Sequence, residues 1–524
     1  MNYTLPDLVT LVREGTPVLS LEQGVLEVAE DNRGLMCLIG VPRQPGHGIL
    51  VVSSSHRLDP HVLSYQETIR RHGLSHEVVV SSMRNVLDLY RLGKGRYRAP
   101  VGTESEAQRY IIEMVREAVT LRASDIHIVA RHDYCEIRCR IDGYLRPMGQ
   151  LRSEEGPRLC ATIYQSMCDV AEPTFKPMQA QRSRMKDEFL RECGLSGARI
   201  NTRPLDRGMM MVLRLLYADT PGAAPTLADL GYLPEQCEAL DELMEHRTGV
   251  VLLSGPTGSG KSTTLKVVMQ KLMAENTGIH LLTLEDPPEY EIEGANQSPV
   301  GGERGSSAGV EQEWANAIAD AMRLDPDVIM VGEVRDAVTA KMAFRAAMTG
   351  HLIWTTIHAN DALAILPRLE DEGVMQSLLT DSTLVIGLVN QSLVQRLCSD
   401  CKIPLKGNEH LLGPRLLKRL QRYCDLDGIC LQGDGCESCK QQGTAGRTVV
   451  AEVVRTSPGL MQAYVRGHHL EATRYWVRHS NGISKIDALI RKINDGLVDP
   501  RAGERIVGPI QPAGASLDSL EATS

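Results

Sequence analysis

The chain has 524 residues, 42% hydrophobic and 23% charged, a globular composition with room for three or four domains of about 100–200 residues each. Lys and Arg number 57 against 66 Asp and Glu, a net charge of −9, and only 4% of the residues are aromatic. That balance argues against a nucleic-acid binder, which needs basic surface and, for single strands, rings on which bases stack. No apolar run approaches the roughly 18–20 residues that cross a bilayer. The start, MNYTLPDLVT, lacks the basic and apolar regions of a signal peptide. The expectation is a cytoplasmic protein. Thirteen cysteines, an odd number spread along a long chain, do not describe a disulfide framework.

Residues 1–95 read as a small mixed domain in which GILVVSSS (48–55) and HEVVVSSM (76–83) are buried strands. GKGRYRAPVGTESE (93–106) is aperiodic and rich in Gly, Pro and charge, as a linker is. Apolar positions Ile111, Ile112, Met114, Val115 and Val119 give a helix from Ala107 to Val119. DIHIVA and CEIRCRIDGYL then alternate as paired strands do, and the strand-like MMMVLRLL (209–216) closes a second α/β domain at 107–218. TPGAAPTLADLG (220–231) is a further linker, with Thr226 placed to cap the helix that follows. Residues 232–395 alternate strand and helix patterns, which implies a parallel sheet with crossover helices. Residues 396–500 read as helical and cysteine-bearing, and 501–524, rich in Pro, Ala and Ser, as a disordered tail.

The strongest motif opens the third domain. In VVLLSGPTGSGKSTT (250–264) an apolar strand runs into Gly255, Pro256, Thr257, Gly258, Ser259, Gly260, Lys261, Ser262 and Thr263, and a helical pattern follows. This is GxxxxGK[ST] in its required strand–loop–helix context. Glycines let backbone N–H groups wrap phosphates, and the helix N-terminus adds a favourable field. The loop is therefore expected to bind ATP, with Lys261 on the β- and γ-phosphates and Ser262 on Mg²⁺.

Three more apolar runs end in polar residues. IHLLTL (279–284) ends at Glu285 and Glu289, VIMV (328–331) at Glu333, and HLIWTTI (351–357) at His358. In parallel α/β sheets ligands lie beyond the carboxyl ends of the strands, so all these groups are expected at one edge. Glu333 is the first choice for holding metal or water, Glu285 the second for polarising water, and His358 can sense the γ-phosphate by a hydrogen bond. The plainer reading of each is a solvated strand-end side chain. His351, at a strand's start, reads as structural.

GPTGSGKSTT, TLEDPPEY, RLDPDVIMVGEVRD and GHLIWTTIHANDA resemble the Walker A, Asp-box, Walker B and His-box motifs of the secretion ATPase superfamily. The resemblance is closer to the type II secretion and type IV pilus-assembly ATPases, and ASDIHI, RCRIDGYL and LADLGYL extend it over about 107–500. It implies a RecA-like P-loop domain preceded by a smaller, PAS-like α/β domain, with an N-terminal docking domain before both and a helical, zinc-bearing C-terminal region after them. It also implies a homohexamer that spends ATP on an inner-membrane platform protein, reached through residues 1–95, to assemble pilin or pseudopilin subunits.

Cys398 and Cys401, then Cys436 and Cys439, form two CxxC pairs separated by 34 residues. Four thiolates suit tetrahedral structural Zn²⁺, with a redox CxxC as the rival and Cys424 and Cys430 left over. Members of the family that extend pili or drive secretion carry such a module, whereas its retraction members are shorter and lack it. Arginines crowd the second domain, and a triphosphate bound between domains needs charge presented on closure. By motif position Arg199 and Arg214 match the family's arginines that approach the γ-phosphate. Gln181-Arg182-Ser183-Arg184 stands where the family shows QDGR, so Arg184 is not carried over. Two other functions stay open at this point: an ATPase of conjugation or DNA uptake, which needs a basic channel, and a nucleotide-gated scaffold that hardly turns over.

Overall fold

The computed structural model describes residues 5–13, 16–21, 26–41, 46–94, 104–132, 134–169, 174–217, 225–276, 278–300, 307–515 and 517. The expected linker at 93–106 lies mostly, and those at 220–231 and the tail partly, outside the described residues. The chain forms two compact units. The first is Met1–Pro221 with Cys398–Cys401 and Gln432–Thr444, and the second is Gly222–Leu397 with Lys402–Leu431 and Ala445–Ser524.

The first unit begins with α1 (Leu5–Arg13) and the strands β1 (Met36–Gly40) and β2 (His47–Ser53), paired antiparallel. Helix α2 (Pro60–Arg71) crosses to β3 (Ser75–Ser81), which runs parallel to β2, and α3 (Met83–Lys94) follows. Asp59 caps α2 by accepting the His61 N–H at 2.8 Å, and Pro60 sets its first turn. Then come α4 (Glu104–Thr120), β4 (Asp125–Ala130), β5 (Tyr134–Ile141), β6 (Tyr144–Arg152) and α5 (Glu155–Ser166). Four more strands, β7 (Cys168–Asp169), β8 (Arg182–Met185), β9 (Leu195–Leu205) and β10 (Gly208–Tyr217), complete an antiparallel sheet of order β6-β5-β4-β10-β9-β8-β7. Ile111, Met114, Val115 and Ala118 of α4 are buried in one core with Leu159 and Ile163 of α5 and the inward residues of that sheet.

In the second unit α6 (Leu227–Leu230) and α7 (Pro234–Met244) precede β11 (Gly249–Ser254). Thr226 caps α6 as expected, its Oγ1 accepting the Asp229 N–H at 3.2 Å. After β11 come α8 (Lys261–Glu275), β12 (Leu281–Glu285), β13 (Asn296–Pro299), α9 (Ser307–Ala321), β14 (Val328–Val331), α10 (Ala337–Met348) and β15 (Leu352–Ile357). Short helices α11 (Ile365–Asp371) and α12 (Gln376–Leu379) lead to β16 (Val385–Leu397). The sheet has the order β13-β12-β14-β15-β11-β16, parallel throughout. Val250 and Leu252 of β11 join one apolar cluster, Val251 and Leu253 another, so both faces are covered. A continuous apolar run is what a doubly covered parallel strand requires.

The C-terminal region departs from the expected helical stretch. After β17 (Ile403–Pro404), α13 (Pro414–Tyr423) and β18 (Cys430–Leu431), the strand β19 (Thr444–Arg455) joins the main sheet beside β16. Its TVVAEVV segment puts Val449 and Ala451 into the core shared with β11, and β-branched residues favour that extended, half-covered place. Helices α14 (Pro458–His479, broken at Gly467 and His468), α15 (Lys485–Asn494) and α16 (Pro500–Val507) close the fold.

The last helix corrects the expected disorder of the tail. Asp499 caps α16 through the Arg501 N–H at 2.8 Å, and Glu504 takes two nitrogens of Arg419 at 2.7 Å each. Ile510 beyond it is fully buried among Leu416, Leu420, Leu489 and Ile493. A few anchored apolar residues outweigh a composition that alone suggests disorder. Ile510→Ala should therefore cost the second unit about 2–4 kcal/mol, read as a lower midpoint in denaturant; an unchanged midpoint would show the tail does not anchor there.

Candidate active site

The edge where β11, β12, β14 and β15 end collects the residues singled out from the sequence. Gly255 leaves β11 at φ 144°, and a Cβ there would lie 2.3 Å from the Gln391 carbonyl oxygen, so no side chain fits. Gly258 and Gly260 also have positive φ, and α8 starts at Lys261. This geometry turns successive N–H groups toward one hollow, the anion-binding nest of a phosphate loop. The loop is braced from beneath. Gln391 Nε2 donates to the Ser259 carbonyl at 2.7 Å, while Gln391 Oε1 accepts from the buried Tyr232 hydroxyl at 2.5 Å. Ser259 Oγ is buried without a hydrogen-bond partner among the described residues, an orphan donor that a phosphate oxygen would satisfy. Lys261 Nζ rests on the Gly255 carbonyl at 2.9 Å. Burial pulls its pKa down, and the charges of Glu333 and Glu289 work the other way. An ammonium that leans on carbonyls in a partly dry loop can pair with an anion.

The acids are held as well as delivered. Glu285, at the end of β12, accepts from Thr283 Oγ1 at 2.8 Å and Gln297 Nε2 at 3.1 Å. Gln297 also donates to the Tyr290 carbonyl, which closes the loop carrying Glu289. Two residues beyond β14, Glu333 takes Arg335 Nε on one oxygen at 2.7 Å and His358 Nε2 on the other at 2.9 Å. Lys261, Glu333, Glu285 and His358 thus share one edge, on four adjacent strands. Asp336, next to Arg335, is spent on capping α10 through the Val338 and Thr339 N–H groups. Thr263 reaches the Tyr290 hydroxyl at 3.3 Å, and Ser262 is exposed at the start of α8. His351 is structural, as expected, against the Ala346 carbonyl at 2.9 Å.

Arg199 and Arg214 lie in the first unit as direct register partners on β9 and β10. Arg214 Nε donates to Asp125 Oδ1 at 3.1 Å. The four expected cysteines also come together in the first unit, their sulfurs all within 4.8 Å of one another. Three of the pairs stand 3.7–3.8 Å apart. A tetrahedron with Zn–S bonds of about 2.3 Å has edges of about 3.8 Å, so the donor set fits a structural zinc. The Cys439 backbone contact draws the Cys436 thiol down to about 7, against the opposing effect of burial. The Gly443 N–H donates to Cys439 Sγ at 3.1 Å, as amides do around metal thiolates. Lys440, in the second CxxC loop, donates to the Thr120 carbonyl at the end of α4, and Thr444 to Asp142 between β5 and β6.

The sequence reading missed the groups that brace this edge. Gln391, Asn390, Lys485 and His469 carry no motif, and Tyr232, within LADLGYL, and Glu452 had no role assigned, although the polar Asn390-Gln391 inside the apolar run VIGLVNQSLV was a visible signal. Asp361, three residues after His358, accepts the Ala364 N–H at 2.7 Å and pairs with His469 Nε2 at 2.8 Å. Burial opposes the Asp361 charge, but His469 overrides it and the carboxyl stays below its ordinary range. The hydrogen bond to Asp361 raises the His469 pKa, burial lowers it, and Glu452 adds to the rise. His469 should therefore titrate above 6.5, and the pair's contribution should be full below that value and fade as pH rises through the raised one. An NMR titration checks this, and Asp361→Asn should bring the value back down.

Comparison with known proteins identifies the family of the chain. A family model described as Type II/IV secretion system protein matches residues 103–502. Type II secretion system protein E of Klebsiella pneumoniae is 34% identical over 415 residues, covering 78% of this chain and 77% of that protein. Type IV pilus assembly ATPase PilB of Thermus thermophilus is 35% identical over 367 residues, 70% of this chain, and the chain spans only 39% of that relative's length. The ATPase DotB of Legionella pneumophila shares the fold at TM-score 0.54 and 20% identity, over 78% of this chain and 97% of the other. With the fold class so placed, the chain belongs to the type II/IV secretion system family, the family of the type II secretion and type IV pilus-assembly ATPases.

Proposed function

We propose that the chain is a homohexameric motor that hydrolyses ATP to ADP and phosphate and drives assembly of type IV pilin or type II pseudopilin subunits. The observation that carries this reading is the convergence of Lys261, Glu333, Glu285 and His358 on one sheet edge beside a glycine nest. The names of the relatives, a pilus-assembly ATPase and a secretion protein E, support the assignment of the work. Residues 255–263 would hold the triphosphate, with Lys261 on the β- and γ-phosphates and Ser262 holding the magnesium of MgATP, which supplies charge neutralisation when bound. Glu333 orients the attacking water and takes its proton, with Glu285 as the second polarising carboxylate. His358 reports the γ-phosphate to Glu333 through their shared hydrogen bond. Arg199 and Arg214 would offer positive charge to the phosphate when the motor closes.

The motor would act from the cytoplasm on an inner-membrane platform protein, docked through residues 1–95, without touching nucleic acid. No helix among the described residues is long and apolar enough to cross a membrane. A zinc ion on Cys398, Cys401, Cys436 and Cys439 would be structural, because four thiolates complete its tetrahedron and leave no position for water or substrate.

Lys261→Ala should lower hydrolysis by about a hundredfold or more while the melting temperature stays where it was; robust turnover in that variant would sink the reading. Glu333→Gln should retain ATP and lose hydrolysis by about a hundredfold, seen as nucleotide that stays bound unhydrolysed. For the cysteines, native mass spectrometry should find one zinc per chain. Cys436→Ser should lose it and lower the melting temperature, since structural zinc is worth on the order of 10 kcal/mol in small peptides.

A further inference from the structure

The loop that carries His358 ends in a polar cluster for which phosphate binding has no use. Asn390 is wholly buried in β16. Its Nδ2 donates to Ser254 Oγ at 2.7 Å, just before the phosphate loop, and to the carbonyl of Ala359 at 2.9 Å, just after His358. Its Oδ1 accepts from Lys485 Nζ at 2.5 Å, and the same ammonium donates to the Asn360 carbonyl at 2.6 Å. Lys485 opens α15, 95 residues further along the chain than Asn390. The backbone N–H groups of Ala362 and Lys485 both go to the carboxylate of buried Glu452, at 2.8 and 3.3 Å.

Three side chains from β16, β19 and α15 therefore hold residues 359, 360 and 362, and one of them also holds the strand that enters the phosphate loop. Removing the ammonium would leave the Asn390 oxygen and the Asn360 carbonyl without their donor and the buried Glu452 without a positive charge that offsets its burial. We propose that Lys485, acting through Asn390 and the Asn360 carbonyl, is a positioning residue that fixes the 358–362 loop so that His358 stays against Glu333. This rests on the ATPase reading of the sheet edge, because Lys485 touches no reacting atom.

The test uses the full chain with Lys485→Met, His358→Ala and the double variant. Lys485→Met should lower kcat about tenfold with the KM for ATP changed by no more than about twofold. The double variant should be no slower than His358→Ala alone, because the lysine acts through the histidine. Losses that multiply in the double variant would overturn the proposal. Lys485→Arg keeps a cation and its donors and should recover part of the rate. Asn390→Asp keeps the oxygen facing the ammonium but gives up both donations, and it should reproduce the kcat loss should Lys485→Met fail to fold. Hydrogen exchange of the nucleotide-free chain needs no activity: amides of residues 359–364 should exchange about tenfold faster in Lys485→Met at an unchanged melting temperature. Unchanged exchange there overturns the positioning role whatever the turnover. A loosened loop in a chain without Lys261-dependent hydrolysis strikes the ATPase reading alone.

Discussion

A buried side-chain amide under the phosphate loop governs the second unit. Gln391 sits in the middle of β16 with no exposed surface, so both its oxygen and its nitrogen must be satisfied inside the protein. It does so by accepting from Tyr232 and donating to the Ser259 carbonyl. Tyr232 reaches Thr264 of α8 as well, at 3.3 Å. One amide thus links the segment before β11, the loop after it, the helix that follows and the strand beside it. The backbone carbonyl oxygen of Gln391 blocks any side chain at position 255. The loop's shape is set by this neighbour as much as by its own glycines.

The same logic extends along β16. Asn390 and Gln391 are adjacent, and side chains alternate across a strand, so the two amides serve opposite sides of the sheet edge. Asn390 holds the β11 end and the loop after β15, and Gln391 holds the phosphate loop. Parallel strands leave their last carbonyls and amides unpaired where the chain turns away, and such groups need partners. In this fold the partners come from β16, β19 and α15, far downstream in the chain. A site whose motifs lie between residues 255 and 362 is therefore completed by residues from 390 onward.

That explains what the sequence could and could not show. The core strands were legible because a doubly covered parallel sheet makes unbroken apolar runs, and each run ended in a residue of distinct chemistry at positions 255, 285, 333 and 358. The cysteine quartet was legible because its two pairs have ligand spacing, and the structure brings the four sulfurs together. The braces were not, because a buried Gln, Asn or Lys signals nothing until its partner is known, and those partners are 30 to 160 residues away. The helical reading of 396–500 failed at β19, where TVVAEVV borders Gly-rich and charged sequence that hides its strand pattern. The disorder assigned to 501–524 failed over its described residues because composition averages over residues, whereas Glu504 and Ile510 act singly.

The ion pairs of the sheet edge fit the exchange that hydrolysis demands. Glu333 is half-shielded, but Arg335 and His358 on its two oxygens expose 58% and 53% of their side chains. Pairs that exposed contribute well under about 1 kcal/mol each, since water and salt screen them. They orient the carboxylate without trapping it. An anion arriving at Lys261 competes with Glu333 for the Arg335 guanidinium, which leaves at little cost, while the His358 hydrogen bond keeps the acid pointed at the edge. A buried pair would have the opposite effect, because breaking it strands a desolvated charge. Where the fold does bury a carboxylate near the edge, at Glu452, it bonds only backbone N–H groups and holds a loop in place. The exposed Arg335 pair at the reacting position can exchange, whereas the buried contacts behind it are fixed, and this separates the group that changes partner from those that do not.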